Sequence, residues 1–387
     1  MSPSPSDCAR PGPPRFAVVG NPGNRRVSLF AEAVRGAGLP APRVVPWREV
    51  LDGRYGFAPG EVVRLDSPGE DAEVDRLLRG ADDPARVEGT AVWYRRFTRA
   101  AAGVAAAARG AGARLLDDPD ELAVLFDKRR CHAVLEAAGV PVPGALGGDP
   151  VSGWQDLAGR LRERRLRRAF VKPAHGSSAS GVMALEYAGP GRVVATTSVE
   201  TGPGGALFNS LRVRRVEGEE RVGALVDALA PDGLHVERWL PKASQDGRRA
   251  DLRVVVVAGR ATHAVVRTSR HPMTNLHLGG ARGDLDAARR AVEAAGGSWA
   301  GALAVAERAA ACFPGTLCVG VDLLPATGWR RFAVGEVNAF GDLLPRLTGL
   351  PGSGAEGLDT YAAQVAAVIG KEHHLCSTHP SRARSRA

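Results

Sequence analysis

The sequence predicts a mixed α/β (α+β) protein of two or three subdomains. Three observations lead there. At 387 residues the chain is longer than one hydrophobic core ordinarily supports. Between Arg15 and Leu116 short apolar runs alternate with helical periods, the order of an α/β layer. Later the apolar runs pair about turns, Asp251–Val257 with Ala261–Arg267 and Cys318–Leu324 with Phe332–Val337, which is the pattern of β-hairpins.

Residues 1–14 are rich in Pro and Ser and are expected to be disordered. Arg15–Gly20 reads as a buried strand, followed by the loop NPGNRR and a helix from about Val27 to Gly36. Strands are expected near Arg43–Val45, Val62–Leu65 and Ala91–Tyr94, with a helix after Ser67-Pro68-Gly69. An alanine-rich helix, Arg99–Arg109, leads to a strand at Ala113–Leu116 and the turn Asp117-Asp118-Pro119. A second segment begins at 117. Asp120 is expected to cap a short helix, and Asp127-Lys128 opens another that stops at Gly139. A basic helix over 154–169, strands at Ala169–Lys172, Val182–Tyr187 and 193–216, a helix at Glu219–Leu229 and a strand at His235–Pro241 complete it. The third segment, from 241, holds the hairpin around Gly259, a polar loop (Thr268–Asp284), two helices (Leu285–Ala295 and Trp299–Cys312), the second hairpin and a closing helix, Gly357–Ile369. Residues 371–387 are basic and rich in His, Ser and Arg, and are expected to be a disordered tail.

Composition narrows the function. The net charge of +9 comes from arginines scattered along the chain, without zinc spacing, an aromatic run or a helix-turn-helix, which argues against nucleic acid and suits an anionic substrate. The five cysteines have no paired spacing, no apolar run reaches the ~18 residues of a membrane span, and the N-terminus lacks a signal peptide. A soluble, cytoplasmic protein is expected. Only Lys128, Lys172, Lys242 and Lys371 among the 51 basic residues are lysines. Against that background a lysine marks a place where a compact ammonium differs from a guanidinium, as at a phosphate.

The stretch Gly320–Asp342 carries the densest chemistry. Asp322 lies on one arm of its hairpin; Glu336 and Asn338 lie on the other, two residues apart and therefore on one face. Three hard oxygen ligands on rigid strands suit Mg²⁺, although two acidic residues beside a turn are also ordinary in a solvated hairpin end. Lys172 ends a strand before the loop His175-Gly176-Ser177-Ser178-Ala179-Ser180-Gly181, whose small residues let backbone N–H groups approach phosphate; a plain Gly/Ser hairpin has the same look. Lys128 either reaches toward phosphate or pairs with Asp127 and solvent. Glu237 either accepts from an adenosine or faces solvent. The polar loop with Asn275, His277, Gly279, Gly280 and Arg282 is placed to grip an acidic group, His277 being a base or a structural hydrogen-bonding residue. The Gly20–Gly23 turn is a further candidate anion contact at a helix start.

Read in order, Asp-Lys at a helix start, Val-Lys-Pro with a Gly/Ser loop, Glu-Arg-Trp-Leu, Asp-Leu-Arg, Asn-Leu-His-Leu-Gly-Gly, Val-Asp-Leu-Leu and Glu-Val-Asn resemble the ATP-grasp superfamily. The branch most similar is that of ribosomal-protein glutamate ligases and related carboxylate-amine ligases, over about Asp117–Leu347. The resemblance implies a preceding α/β domain (15–116), then two α+β subdomains gripping ATP, 117–240 with a phosphate-binding lid and 241–370 with the metal site. It implies that Lys128 and Lys172 contact ATP phosphates beneath a lid formed by His175, Gly176, Ser177, Ser178 and Gly181. Glu237 and Arg238 would line the adenine site, Asp251 would lie near the nucleoside, and Asn275 would sit in the phosphate and substrate region. Asp322, Glu336 and Asn338 would hold one or two Mg²⁺ (or Mn²⁺) ions. The related ligases carry arginines where this chain has Met273 and Leu278, which leaves Arg270 and Arg282, beside Asn275, to take the catalytic role. The implied reaction is ATP- and Mg²⁺-dependent activation of a carboxylate, on an acidic small molecule or peptide, as an acylphosphate for attack by an amine. A phosphotransferase and a non-catalytic ATP-binding regulator are the alternatives, and a homodimer is implied.

Overall fold

The computed structural model describes residues 12–81, 83–176, 179–341 and 344–377, the last seven as helical backbone only. Most of both expected tails, and Ser177 and Ser178 of the expected phosphate loop, lie outside the described residues.

Three sheets organise the chain. The first is parallel, in the order Arg43–Pro46, Arg15–Gly20, Glu61–Leu65, Arg114–Leu115. Strand alternation divides its two faces: Phe16 and Val18 pack with Phe30 and Tyr361, Ala17 and Val19 with Trp47 and Phe97. The strand expected at Ala91–Tyr94 is instead the first turn of a 21-residue helix, Thr90–Gly110. Four residues rich in aromatic and β-branched side chains suit either state. The helical period continues through Trp93, Phe97 and Ala101, and Phe97 is fully buried between Trp93 (centroids 5.0 Å apart) and Phe126 (4.6 Å).

The second sheet is antiparallel, in the order Leu207–Glu217, Val193–Thr201, Met183–Tyr187, Arg168–Pro173, Leu234–Arg238. Helices Trp154–Glu163 and Glu219–Leu229 cover one face, into which Ala169, Val171 and Val236 point. Phe170, Lys172, His235 and Glu237 therefore point the other way. The basic helix is shorter than expected, because the chain turns at Arg165, whose φ is +51°. Asp118, not Asp120, caps helix Pro119–Leu125: its carboxylate accepts from the Asp120 and Glu121 N–H groups, and Pro119 fills the first helical position, where no donor is needed.

The third sheet runs Ala281–Arg282, Arg260–Ser269, Arg248–Val257, Cys318–Pro325, Phe332–Ala339, with Ser244–Gln245 beside Arg248–Val257. Its central hairpin turns on Ala258 (φ +49°) and Gly259 (φ +83°), the positive pair that a two-residue turn between twisted strands demands. Leu252, Val254, Val256, Val321 and Leu323 bury one face against helices Leu285–Ala294 and Trp299–Ala311. The closing helix, Thr360–Ser377, runs seven residues into the expected C-terminal tail, since nothing from Lys371 to Ser377 stops it. No helix among the described residues is long and apolar enough to cross a membrane.

Truncating Phe97 opens a cavity at the junction of the first layer with the helices leading to Lys128. Phe97→Ala should cost about 3–5 kcal/mol, read as a lowered urea midpoint with an unchanged m-value.

Candidate active site

The face of the third sheet opposite its helices meets the second sheet across a cleft lined by both. Register builds its floor. Asp322 stands directly opposite Arg253 on one side and Glu336 on the other, and Asp251 stands opposite Arg267. The side chains join these positions into a ladder of alternating charge. Arg253 Nε lies 2.6 Å from Asp322 Oδ1, Arg267 Nη2 lies 3.0 Å from the same oxygen, and Arg267 Nε lies 2.8 Å from Asp251 Oδ1. Gly320 is fixed by this packing, because a Cβ there would sit 3.2 Å from Arg253 Nη1 and 2.9 Å from the Gly341 carbonyl.

Three lysines enter from other elements. Lys128, the first residue of helix Lys128–Ala137, is positioned by its N-cap Asp127 and places Nζ 2.9 Å from Glu336 Oε1 while donating to the Gly176 carbonyl. Lys172 meets Glu237 Oε1, on the neighbouring strand of the second sheet, at 2.6 Å and donates across the cleft to the Gly335 carbonyl at 3.5 Å, and the other Glu237 oxygen lies 3.1 Å from His235 Nε2. Lys242 lies 2.9 Å from Thr274 Oγ1 and 3.5 Å from Asp251 Oδ2, and Thr274 donates its hydroxyl proton to that same oxygen.

Burial disfavours the charges of Glu237, Lys172, Glu336 and Lys242, and the neighbours decide the outcome. For Glu237 burial pushes the pKa up, but Lys172 and His235 outweigh it and hold the carboxyl below the usual range. For Lys172 burial pushes down, and Glu237 and Glu336 more than reverse it. Glu336 is likewise held low by Lys128 and Lys172 against burial. Lys242 goes the other way: burial wins, and the adjacent Arg267 opposes the help of Asp251.

Of the residues singled out in the sequence, Lys128, Lys172, Gly176, Glu237, Asp251, Asn275, Asp322 and Glu336 line the cleft. Asn338 stands two residues beyond Glu336, its Nδ2 donating to the Gly320 carbonyl at 3.2 Å, which leaves its Oδ1 as the acceptor. Others do not come together. Arg238 is exposed, because adjacent strand residues point to opposite faces and Glu237 takes the inward one. Arg270 and Arg282 are exposed outside the cleft lining; Arg267 and Lys242 supply positive charge instead. His175 is buried away from the cleft lining, stacked on Tyr94 with centroids 4.0 Å apart and Nδ1 3.1 Å from the Phe126 carbonyl. Gly181 is buried against Pro173 and Val87. At the Gly20–Gly23 turn, Asn24 caps the following helix itself, so the N–H of Arg26 is already satisfied.

Sequence reasoning missed Lys242, Thr274, Arg253, Arg267 and His235. For Lys242 the signal was present, since three of the four lysines meet in one cleft. Met273 and Leu278 are buried, packed on Val182 and Ala184 with Phe170 and Trp239 alongside, so the polar loop is docked onto the second sheet by apolar contacts.

The donor set suits a hard cation. Among the described residues no three His, Cys, Asp or Glu side chains gather as a metal cage. Two carboxylates and an amide oxygen, all oxygen donors, fit Mg²⁺ that keeps water and phosphate for its remaining positions.

No family model matches the sequence, and no curated protein does. Solved structures do match the fold. A D-cycloserine synthetase, DcsG, superposes with a TM-score of 0.54 at 19% identity, covering 92% of this chain and 99% of its own. The ATP-grasp ligase PsnB with a minimal precursor gives 0.53 at 17%, covering 92% and 99%. The macrocyclase MdnC, bound with precursor peptide MdnA from Microcystis aeruginosa MRC, gives 0.51 at 11%, covering 92% and 100%. The chain has the ATP-grasp fold.

Ionised Glu237 contributes stability that is complete above its unfolded pKa, near 4.5, and is lost as pH falls through its depressed folded value. Glu237→Gln leaves Lys172 without its short partner and should destabilise by about 3 kcal/mol at neutral pH. The difference in unfolding midpoint from wild type should stay level above the unfolded pKa and shrink below it; a difference that grows on acidification would reject the assignment.

Proposed function

We propose that the protein is an ATP- and Mg²⁺-dependent ligase that activates a substrate carboxylate as an acylphosphate for attack by an amine or similar nucleophile. The observation that carries this reading is the meeting, on an ATP-grasp fold, of Lys128 and Lys172 with Asp322 and Glu336 in one cleft. Support for the nucleotide comes from PsnB, solved with a minimal precursor, Mg and ADP at a TM-score of 0.52. Precursor peptides are bound by PsnB and MdnC, so a peptide is one candidate substrate here; an acidic metabolite is the other. A cytoplasmic setting, where ATP and Mg²⁺ are abundant, belongs to the same proposal.

Asp322, Glu336 and Asn338 would hold the metal, which neutralises phosphate charge and orients the transferred group. Lys128 and Lys172 bind and orient the phosphates, and their charge offsets what accumulates on the γ-phosphoryl oxygens. Gly176 brings backbone close to the same place. Phe170, Leu240, Leu324 and Met273 supply apolar walls against which a base can pack and which keep water from an acylphosphate. His235 fixes one oxygen of Glu237 so that the other stays on Lys172.

Calorimetry with ATP should show binding that needs Mg²⁺ and weakens in Glu336→Gln. Lys172→Ala and Glu336→Ala should each lower ADP release at least a hundredfold while the fold, read by circular dichroism, is unchanged. Hydroxylamine should trap a hydroxamate once a carboxylate substrate is supplied; ADP release with a stable phosphorylated product and no hydroxamate would assign the site to phosphotransfer instead.

A further inference from the structure

We infer that Lys242, seated on Thr274, receives an oxyanion of the bound ligand at a subsite separate from Lys128 and Lys172. This rests on the cleft being the nucleotide and substrate site proposed above. The argument is how the three cleft lysines are paired. Lys172 and Lys128 each meet a carboxylate oxygen at short range, 2.6 Å and 2.9 Å. Lys242 does not, among the described residues. Its short contact, 2.9 Å, is to the neutral hydroxyl of Thr274, and Asp251 Oδ2 lies 3.5 Å away. That oxygen already takes the Thr274 proton, and the other oxygen of Asp251 is held by Arg267 at 2.8 Å. The Lys242 side chain is only 7% exposed.

A buried ammonium whose carboxylate is shared with a guanidinium is under-compensated, and burial accordingly pulls its pKa down. It carries three donors, of which Thr274 and Asp251 engage two. The remaining valence belongs to a cleft-lining residue, so a ligand oxygen can satisfy it. The backbone around it is also rigid: Lys242 bridges Ala326, the Ala243 N–H donates to the Pro325 carbonyl at 2.8 Å, and the Thr327 N–H to the Pro241 carbonyl at 3.0 Å. Lys242 is thereby locked to the hairpin that carries Asp322 and Glu336. The ligand group that fits is a carboxylate or a phosphoryl oxygen, since either completes both the hydrogen bonding and the charge.

The test is Lys242→Met, which keeps the stem and removes the charge. Adenosine, ADP and ATP, with Mg²⁺, are titrated by calorimetry, and orthophosphate and succinate by thermal stabilisation. At least one oxyanion probe should lose about tenfold or more in affinity while adenosine binding is unchanged. A loss confined to ADP and ATP assigns the subsite to a nucleotide phosphate; one confined to orthophosphate or succinate assigns it to the substrate's anionic group. Wild-type affinity for every probe, or adenosine falling in step with ADP, overturns the inference. Thr274→Val should reproduce the pattern more weakly and keeps the test readable if Lys242→Met does not fold. A wild type that binds neither adenosine nor ATP overturns the nucleotide reading alone and leaves orthophosphate and succinate to decide on Lys242; if no oxyanion registers either, the subsite falls as well.

Discussion

The cleft depends on pairing buried charges before any ligand arrives. Carboxylates and ammonium groups taken out of water cost several kcal/mol each unless they are matched. Strand register does the matching on the floor, setting Arg253 opposite Asp322 and Asp251 opposite Arg267. Elsewhere it is done twice more, by Lys172 and Glu237 on adjacent strands within the second sheet and by Lys128 from a helix start onto Glu336. These pairs are a weak source of net stability. They are a strong constraint on position, because moving one member strands the other.

The wall formed by the polar loop obeys a different rule. Met273 and Leu278 turn inward onto Val182 and Ala184, while Arg270 and Arg282 turn out to water. An arginine in either inward position would need a carboxylate that this surface of Val, Ala, Phe and Trp does not offer. The loop therefore closes by apolar contact, and positive charge in that part of the cleft comes from Arg267, held on a strand, and from Lys242, held on its bridge to Ala326 and on Thr274 of the loop. Rigid elements hold a charged group more precisely than a loop does.

Much of this was legible in the sequence, for local reasons. Alternation placed Glu336 and Asn338 on one face and marked the hairpin that brings Asp322 opposite Glu336. Lysine scarcity singled out Lys128 and Lys172, and would have singled out Lys242 had it been applied to every lysine. The same alternation argument, applied consistently, would have removed Arg238, the immediate neighbour of Glu237. What local pattern could not reveal was long-range register. Arg253 and Asp322 are 69 residues apart, and nothing in either neighbourhood identifies the other. At Ala91–Tyr94 a four-residue window was too short to separate strand from helix; the deciding contacts, Trp93 and Phe97 with Phe126, are tertiary.

If the cleft takes a nucleotide with a metal, as proposed, the pairing would also fix the sign of cooperativity between anion and cation. Under the proposed reading, an anionic group that took Lys128 away from Glu336 would leave a half-buried carboxylate with Lys172 the one lysine still beside it, a costly state. A divalent cation held by Glu336, with Asp322 drawn from Arg253 and Arg267, would remove that cost and in turn leave the Lys128 ammonium seeking an anion. Each ligand would thus relieve the penalty created by the other, and linkage requires such an effect to be reciprocal. With Lys128 paired to Glu336, that part of the cleft would then resist either ligand alone and admit the two together. In that arrangement Lys128, bridging Glu336 and the Gly176 carbonyl, would be the group whose partner changes, and the coupling would lie in a single helix N-terminus.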